Sequence, residues 1–468
     1  MTVIATAPGT IETPPVEALE RHPLIGALPD DGALTTHLLK PIWTPNHTWR
    51  WLFLVTGALA VLFLVAIAIT VSRGIGTWGN NIPVAWAYGI TDFVWWIGIG
   101  HAGTFISAFL LLLKQRWRAS INRIAEAMTL FALVNASLFP ILHLGRPWFF
   151  YWLVPYPATT GVWPNFKSSL PWDVAAISTY FTVSLLFWYL GLVPDLAAAR
   201  DRATGLTRRR LYGIFALGWR GRNTEWRHYR VAYTLLAGLA TPLVVSVHTI
   251  VSFDFSISQL PGWHSTIFPP YFVIGAIYSG FAMVLMLVLP IRRIFRLESV
   301  ITNRHLDRMA LLLLVTGSLL AYSYMCEAFG AWYSGDTFER YAMLTARPSG
   351  PYAAFFWAMT AVNVLTPQLF WSARLRTNPI VLFVAGVLIW AAMWLERFVI
   401  IVMSLHRDFL PSSWDMYYPT RWDFGMFAGT IGLFLSLFFL FIRFLPAIAI
   451  FEMRTIVPEA KLNAEHHG

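Results

Sequence analysis

A single cysteine, Cys326, stands in a chain of 468 residues. One thiol excludes an internal disulfide, a Cys-ligated iron-sulfur cluster and a C-x-x-C-H haem attachment within this chain. Charge is scarce as well: 12% of the residues are Asp, Glu, Lys or Arg, against 57% hydrophobic and 16% aromatic. Such a balance lies outside the range of soluble globular domains. The first 50 residues are polar and proline-bearing and lack the charged n-region, short apolar core and small-residue cleavage site of a signal peptide. They are expected to stay as a cytoplasmic tail. The short alternating strands of an outer-membrane barrel are missing too.

What the chain has instead is ten long apolar runs, near 51–72, 93–113, 127–143, 174–194, 231–251, 268–290, 309–330, 352–373, 378–403 and 424–445. A helix needs about 20 mainly apolar residues to cross a bilayer. The chain therefore reads as an all-α membrane protein with ten transmembrane helices. Spans 2–5 and 6–9 are expected to form two four-helix bundles, with spans 1 and 10 flanking them. The expected division is a tail over 1–50, the first helix and its loop over 51–92, one bundle over 93–251, the other over 252–403, and the last helix and tail over 404–468. An even number of helices separates the bundles, so they would be parallel repeats. Leu144-Gly145-Arg146-Pro147 after span 3 is loosely echoed by Ala346-Arg347-Pro348 after span 7.

Basic loops mark the cytoplasmic side of a membrane protein. Of the 34 Lys and Arg residues, 26 fall on the side of the N-terminus, seven fall on the other, and Arg397 lies within span 9. Both termini are thus expected inside, with the loops after spans 1, 3, 5, 7 and 9 facing out. The net charge of +10 is concentrated beside apolar spans, where anionic lipid, not nucleic acid, is the natural partner. The longest outer loop, 144–172, interleaves Trp148, Phe149, Phe150, Tyr151, Trp152, Tyr156, Trp163, Phe166 and Trp172 with prolines. Aromatic residues anchor many proteins at the interface; here they are equally suited to cover a flat apolar ligand or to dock an outer partner.

Ionisable groups within hydrocarbon are costly and are functional candidates by default. His143 ends span 3, Asp173 opens span 4, where it is also suited to cap the helix, and Asp254 follows span 5. From a helical rise of about 1.5 Å per residue, His248, Glu327 and Glu396 lie about 26 to 27 Å from the inner ends of spans 5, 7 and 9, near the outer interface. His101 sits deeper, about 12 Å or more below that surface. Taken singly, a histidine near a helix end is most often structural, and Glu396 beside Arg397 reads as half of an ion pair. Glu327 is different, since the surrounding Tyr322-Ser323-Tyr324-Met325-Cys326 offers hydroxyls and no cation. A desolvated carboxylate of that kind would exchange a proton near neutral pH. Histidines and carboxylates from several helices at one depth, among aromatic groups, suit a lipid-soluble quinol, which needs hydrogen bonds at two ring oxygens and acceptors for two protons.

Trp95-Trp96-Ile97-Gly98-Ile99-Gly100-His101-Ala102-Gly103-Thr104 resembles the corresponding stretch of the NrfD/polysulfide-reductase family of membrane subunits. The similarity strengthens at Ser120-Ile121-Asn122-Arg123-Ile124-Ala125-Glu126-Ala127-Met128, at Phe139-Pro140-Ile141-Leu142-His143-Leu144-Gly145-Arg146-Pro147-Trp148 and at Trp172-Asp173-Val174. Within the family, the chain is most similar to the C-type membrane subunits of bacterial alternative complex III. The resemblance covers spans 2–9, and H-x-G-R-P-W is its most specific part. It implies a menaquinol-oxidising subunit in the bacterial cytoplasmic membrane, with its quinol pocket at the outer ends of the first bundle. It also implies separate partners: an iron-sulfur subunit on the outer face, c-type cytochrome subunits and a second NrfD-like membrane subunit. No haem, iron-sulfur cluster or other metal would be bound by this chain. Carried over residue by residue, His143, Asp173, His248 and Asp254 would do the chemistry, and Arg146, Trp148, Trp172 and His264 would bind substrate. Glu327, His101, Asp92 and Glu396 would handle protons, with Asn363 as a further polar group on that path.

Two rival readings make distinct demands. A cytochrome b subunit needs paired histidines at one depth, and spacing places His101 deeper than His143 and His248. A secondary transporter or ion-coupled channel places its coupling groups near the midplane on broken helices; Pro242 and Pro367 fall inside spans, but the carboxylates gather toward one face.

Overall fold

In a computed structural model of the chain, residues 24–26, 31–44, 47–154 and 168–456 are described. The expectations for the rest of the N-terminal tail, for Tyr156, Trp163 and Phe166, and for the end of the C-terminal tail lie outside them. Among the described residues, ten helices are long and apolar enough to cross a membrane: α1 (His47–Arg73), α2 (Tyr88–Leu112), α3 (Asn122–His143), α4 (Ser169–Arg202), α5 (Asn223–Ser256), α6 (Phe268–Ile294), α7 (Asn303–Tyr333), α8 (Ala353–Trp371), α9 (Pro379–Leu405) and α10 (Arg421–Phe444). The described residues contain no β-strand. The protein is an all-α membrane protein, as its hydropathy predicts.

Helices α2, α3, α4 and α5 pack in a closed ring of neighbours, as do α6, α7, α8 and α9. The rings join through α2 against α6 and α9, and through α5 against α6. Helix α10 covers α1 and reaches α3. The chemistry of the surfaces follows from these positions. Helices α2 and α6 lie at the junction and are buried almost throughout, so their apolar residues are core, whereas α1 presents Leu54, Val55, Val61 and Leu64 outward. With lipid as apolar as leucine, close packing takes the place of the hydrophobic drive between spanning helices. Gly103 shows how close the packing is: a Cβ there would stand 2.1 Å from both the Ala125 carbonyl oxygen and Thr129 Oγ1. Thr129 Oγ1 also donates to the Gly100 carbonyl at 2.6 Å, tying α3 to α2.

Several helices run past their apolar stretch, and this alters the expected depths. Helix α5 continues to Ser256, which brings Asp254 into its last turn and leaves His248 about 12 Å below its end. Helix α4 begins at Ser169, and Ser168 caps it by accepting from the Leu170 amide at 3.3 Å. Asp173 is therefore not the cap, and its carboxyl group is available for contacts within the bundle. Helix α2 is interrupted by a π-helical turn over Phe105–Phe109, one turn beyond His101. Such turns recur at functional sites because the extra residue re-aims its neighbours.

Candidate functional site

The turn after α3 is set by Leu144-Gly145-Arg146-Pro147. Gly145 takes φ +71°, a left-handed conformation that costs glycine little, and the chain then reverses into an exposed aromatic turn over Pro147–Leu153. Trp148 is 56% exposed and Arg146 is exposed beside it. Just inside this rim, His143 Nε2 donates to the Ala85 carbonyl at 3.2 Å, and its ring lies 6.4 Å, edge to face, from Trp86. Trp86 in turn meets Phe255 at 6.0 Å. One indole thus links the end of α3 to the last turn of α5.

Beside Phe255, Asp254 of α5 and Asp173 of α4 are close neighbours, carboxyl group toward carboxyl group. Both residues are buried, and among the described residues neither Oδ1 has a hydrogen-bond partner. Trp172, 47% exposed, flanks the pair on the lipid side. His264 is exposed and binds the Ser258 carbonyl through Nδ1 at 2.8 Å, within its own loop.

His248 is not part of this outer group. Its ring lies 4.5 Å from that of His101, edge to face, so the two histidines share one depth, contrary to the expected offset. The cause is the extra length of α5. The contact leaves no room for a macrocycle between the rings. His101 Nδ1 donates to the Ile97 carbonyl at 2.7 Å, which leaves Nε2 as the acceptor of a neutral ring. That Nε2 and both nitrogens of His248 are buried without a partner among the described residues. Phe272 separates this pair from the aspartates, 5.7 Å from His248 and 5.6 Å from Phe255. The other face of Phe272 carries the Arg397 guanidinium at 4.3 Å.

Arg397 pairs with Glu396 at 3.2 Å. Glu396 also accepts from the Tyr324 hydroxyl, which in turn accepts from Asn363 Nδ2 at 2.9 Å. Asp92 accepts from Trp394 Nε1 at 2.7 Å. The expected isolation of Glu327 is overturned: Arg347 Nη1 donates to its carboxylate at 2.9 Å, while Nη2 donates to the Gly262 carbonyl at 3.0 Å. The Gly262 amide donates to Glu339 at 2.6 Å, and burial pushes the Glu339 carboxyl above its ordinary range despite that bond. In the sequence, the only sign of Arg347 is the echo of Arg146 by the second bundle. In the first bundle the arginine is exposed, whereas in the second it is buried on a carboxylate.

A second polar cluster lies at the opposite ends of the first bundle. Its members sit among the basic loops, so a reading of intramembrane acids passes over them. Arg123 pairs with Glu126 at 3.1 Å and Asp195 at 3.2 Å, and Arg118 pairs with Glu452 at 2.7 Å.

Comparison with known proteins converges on one family. The family described as "Polysulphide reductase, NrfD" matches residues 76–407, which span α2 to α9. The chain is 23% identical over 261 residues to a putative dimethyl sulfoxide reductase membrane subunit of Halobacterium salinarum, covering 55% of this chain and 54% of that protein. It is likewise 23% identical over 244 residues to a selenate reductase subunit of Mesobacillus selenatarsenatis, covering 50% of this chain and 55% of that protein. The chain spans about half the length of the curated relatives it matches.

Proposed function

Because the chain belongs to the NrfD polysulphide reductase family, we propose that it is the quinol-oxidising membrane subunit of an electron-transfer complex, with menaquinol as substrate. The observation that carries this reading is the buried Asp173–Asp254 pair, with an unpartnered oxygen on each residue among the described residues. Such a pair takes up a hydroxyl proton without first breaking an ion pair. The names of the two relatives, both of them reductase subunits, favour a place in a multi-subunit oxidoreductase.

In this proposal quinol enters sideways from the bilayer under Trp148 and Trp172. Asp173 and His143 hydrogen-bond its two hydroxyl groups, and Arg146 holds the outer rim. Oxidation removes two electrons and two protons. One proton passes to the carboxyl pair and on through Asp254, the other to His143, both toward the face opposite the basic loops. The electrons leave for an iron-sulfur partner. The c-type cytochromes, a second NrfD-like subunit, the bacterial cytoplasmic membrane and inward-facing termini belong to the same proposal, as does the alternative-complex-III type within the family. In the same proposal His101, His248, Glu396 and Asp92 relay protons. The transporter alternative is less favoured, since Glu396 is held by Arg397 and Tyr324 and Asp92 is held by Trp394.

Asp173→Asn tests the reading directly. Menaquinol oxidation by the assembled complex should fall about a hundredfold or more, the usual loss for a general base, with the complex still intact. Unchanged turnover would remove Asp173 from the mechanism.

A further inference from the structure

Where α2 ends at Leu112, the chain turns through Lys114, whose φ is +55°, and passes over the start of the basic-face cluster. The segment 450–456 folds back against the same place from beyond α10. Between them and α5 lies a cavity of about 480 Å³, lined by Lys114, Arg116, Arg118 and Arg230 together with Tyr229 and Phe451. Glu452 is the one carboxylate in the lining, and it is already satisfied: Arg118 Nη2 holds Oε2 at 2.7 Å, while Asn122 and Tyr233 donate to Oε1 at 3.1 and 3.2 Å. Lys114 and Arg230 therefore face the cavity beside an acid that Arg118 already neutralises.

Arg118 provides the second observation. Its side chain is 5% exposed, and its Nη1 is buried without a hydrogen-bond partner among the described residues. A buried guanidinium donor left open in the wall of a basic cavity asks for an anion. The surroundings say what carries that anion. Leu112 and Leu113 at the end of α2, with Val231 and Leu235 on α5, are 40, 52, 57 and 63% exposed. Apolar residues of this kind at the ends of spanning helices face acyl chains, so the mouth opens at headgroup level. Basic pockets between spanning helices at this level suit phospholipid phosphates. We propose that this cavity is a binding site for the phosphate of an anionic phospholipid, drawn from the leaflet on the basic face. The bound lipid would staple the segment 450–456 to the ends of α2 and α5. The site is independent of the quinol reading.

The test uses the full chain in non-ionic detergent, with native mass spectrometry to count adducts. Phosphatidylglycerol should give one saturable adduct, at least about tenfold tighter than phosphatidylcholine. Lys114→Gln with Arg230→Gln should weaken it about thirtyfold, the effect expected for two charges near a headgroup. Arg209→Gln with Arg210→Gln, on the exposed loop helix, should leave it unchanged. Equal binding of phosphatidylcholine, equal loss in both double variants, or no loss in the first would overturn the proposal. Displacement of phosphatidylglycerol by inorganic phosphate at equal concentration would overturn it in favour of a free-anion site. If the Lys114/Arg230 variant does not fold, the selectivity and the phosphate competition on the unaltered chain decide the question alone.

Discussion

Replacing Arg347 by Gln isolates the physics of the second bundle. The guanidinium is 3% exposed and the Glu327 side chain 7%, so water screens neither and the surface discount does not apply. Arg347 makes a 2.9 Å bond to Glu327, a 3.0 Å bond to the Gly262 carbonyl and a 3.4 Å contact with Ser404 Oγ. Glutamine cannot supply the charge. A buried carboxylate left without its cation costs about 3–5 kcal/mol. Glu327→Gln alone should cost less, because Arg347 keeps the Gly262 and Ser404 acceptors. The double variant, Glu327→Gln with Arg347→Gln, is neutral and should recover much of the loss, giving a coupling of about 2 kcal/mol or more. Unfolding of the full chain in mixed micelles, followed by fluorescence from its 23 tryptophans, supplies all four corners of the cycle. Additive effects within about 0.5 kcal/mol would show that the two groups do not depend on each other, and the ion-pair account would fail.

Three further outcomes are expected. His406 lies just beyond α9, with Nδ1 on the Met403 carbonyl at 2.8 Å, and burial lowers it to about 4. Its neutral form is the folded one, so its contribution to stability is present above the unfolded value near 6.5 and is lost as pH falls toward about 4, up to about 3 kcal/mol. His406→Gln should flatten that part of the pH profile, and an identical profile would exclude the residue. Gly103→Leu should prevent α2 and α3 from packing and abolish the folded chain on size-exclusion chromatography; a normal elution profile would refute the close approach. His143→Leu should weaken binding of a quinol-analogue inhibitor in a direct titration, with Asp173→Asn as comparison, and unaltered affinity would place His143 outside the pocket.

How far the sequence can be read differs between fold and site. Ten apolar runs dictate ten helices, because a bilayer leaves the backbone no other way to satisfy its hydrogen bonds. The ends are harder, since polar residues such as Ser252 and Asp254 continue α5 once the helix has left the hydrocarbon. That difference of about one turn separates His248, on paper, from its true neighbour, His101. Contacts between helices leave no trace in spacing. Asp173 and Asp254 each stand out as buried acids, but nothing in 80 intervening residues announces that they touch. Arg347 stands out for its place after span 7, yet its sequence position does not match it to Glu327, because residues in loops are not expected to be buried within the bundle.

The two bundles put like residues to unlike use, and the difference bears on where protons travel. After α3, Arg146 is exposed, and the acids Asp173 and Asp254 are each other's neighbours. After α7, Arg347 turns inward and holds Glu327, while Arg397 holds Glu396. A proton delivered to either of these carboxylates has to displace a guanidinium, whereas no ion pair among the described residues holds Asp173 or Asp254. The proposed proton uptake from quinol is accordingly assigned to the first bundle. Any onward path through the second bundle must either open an ion pair or bypass it through Tyr324 and Asn363, whose hydroxyl and amide are joined at 2.9 Å. Asn363→Leu removes that bypass without touching a charge. If protons cross beyond those released from quinol, the variant should lower the proton count per electron while leaving quinol oxidation in place; an unchanged ratio would exclude the Tyr324 and Asn363 route.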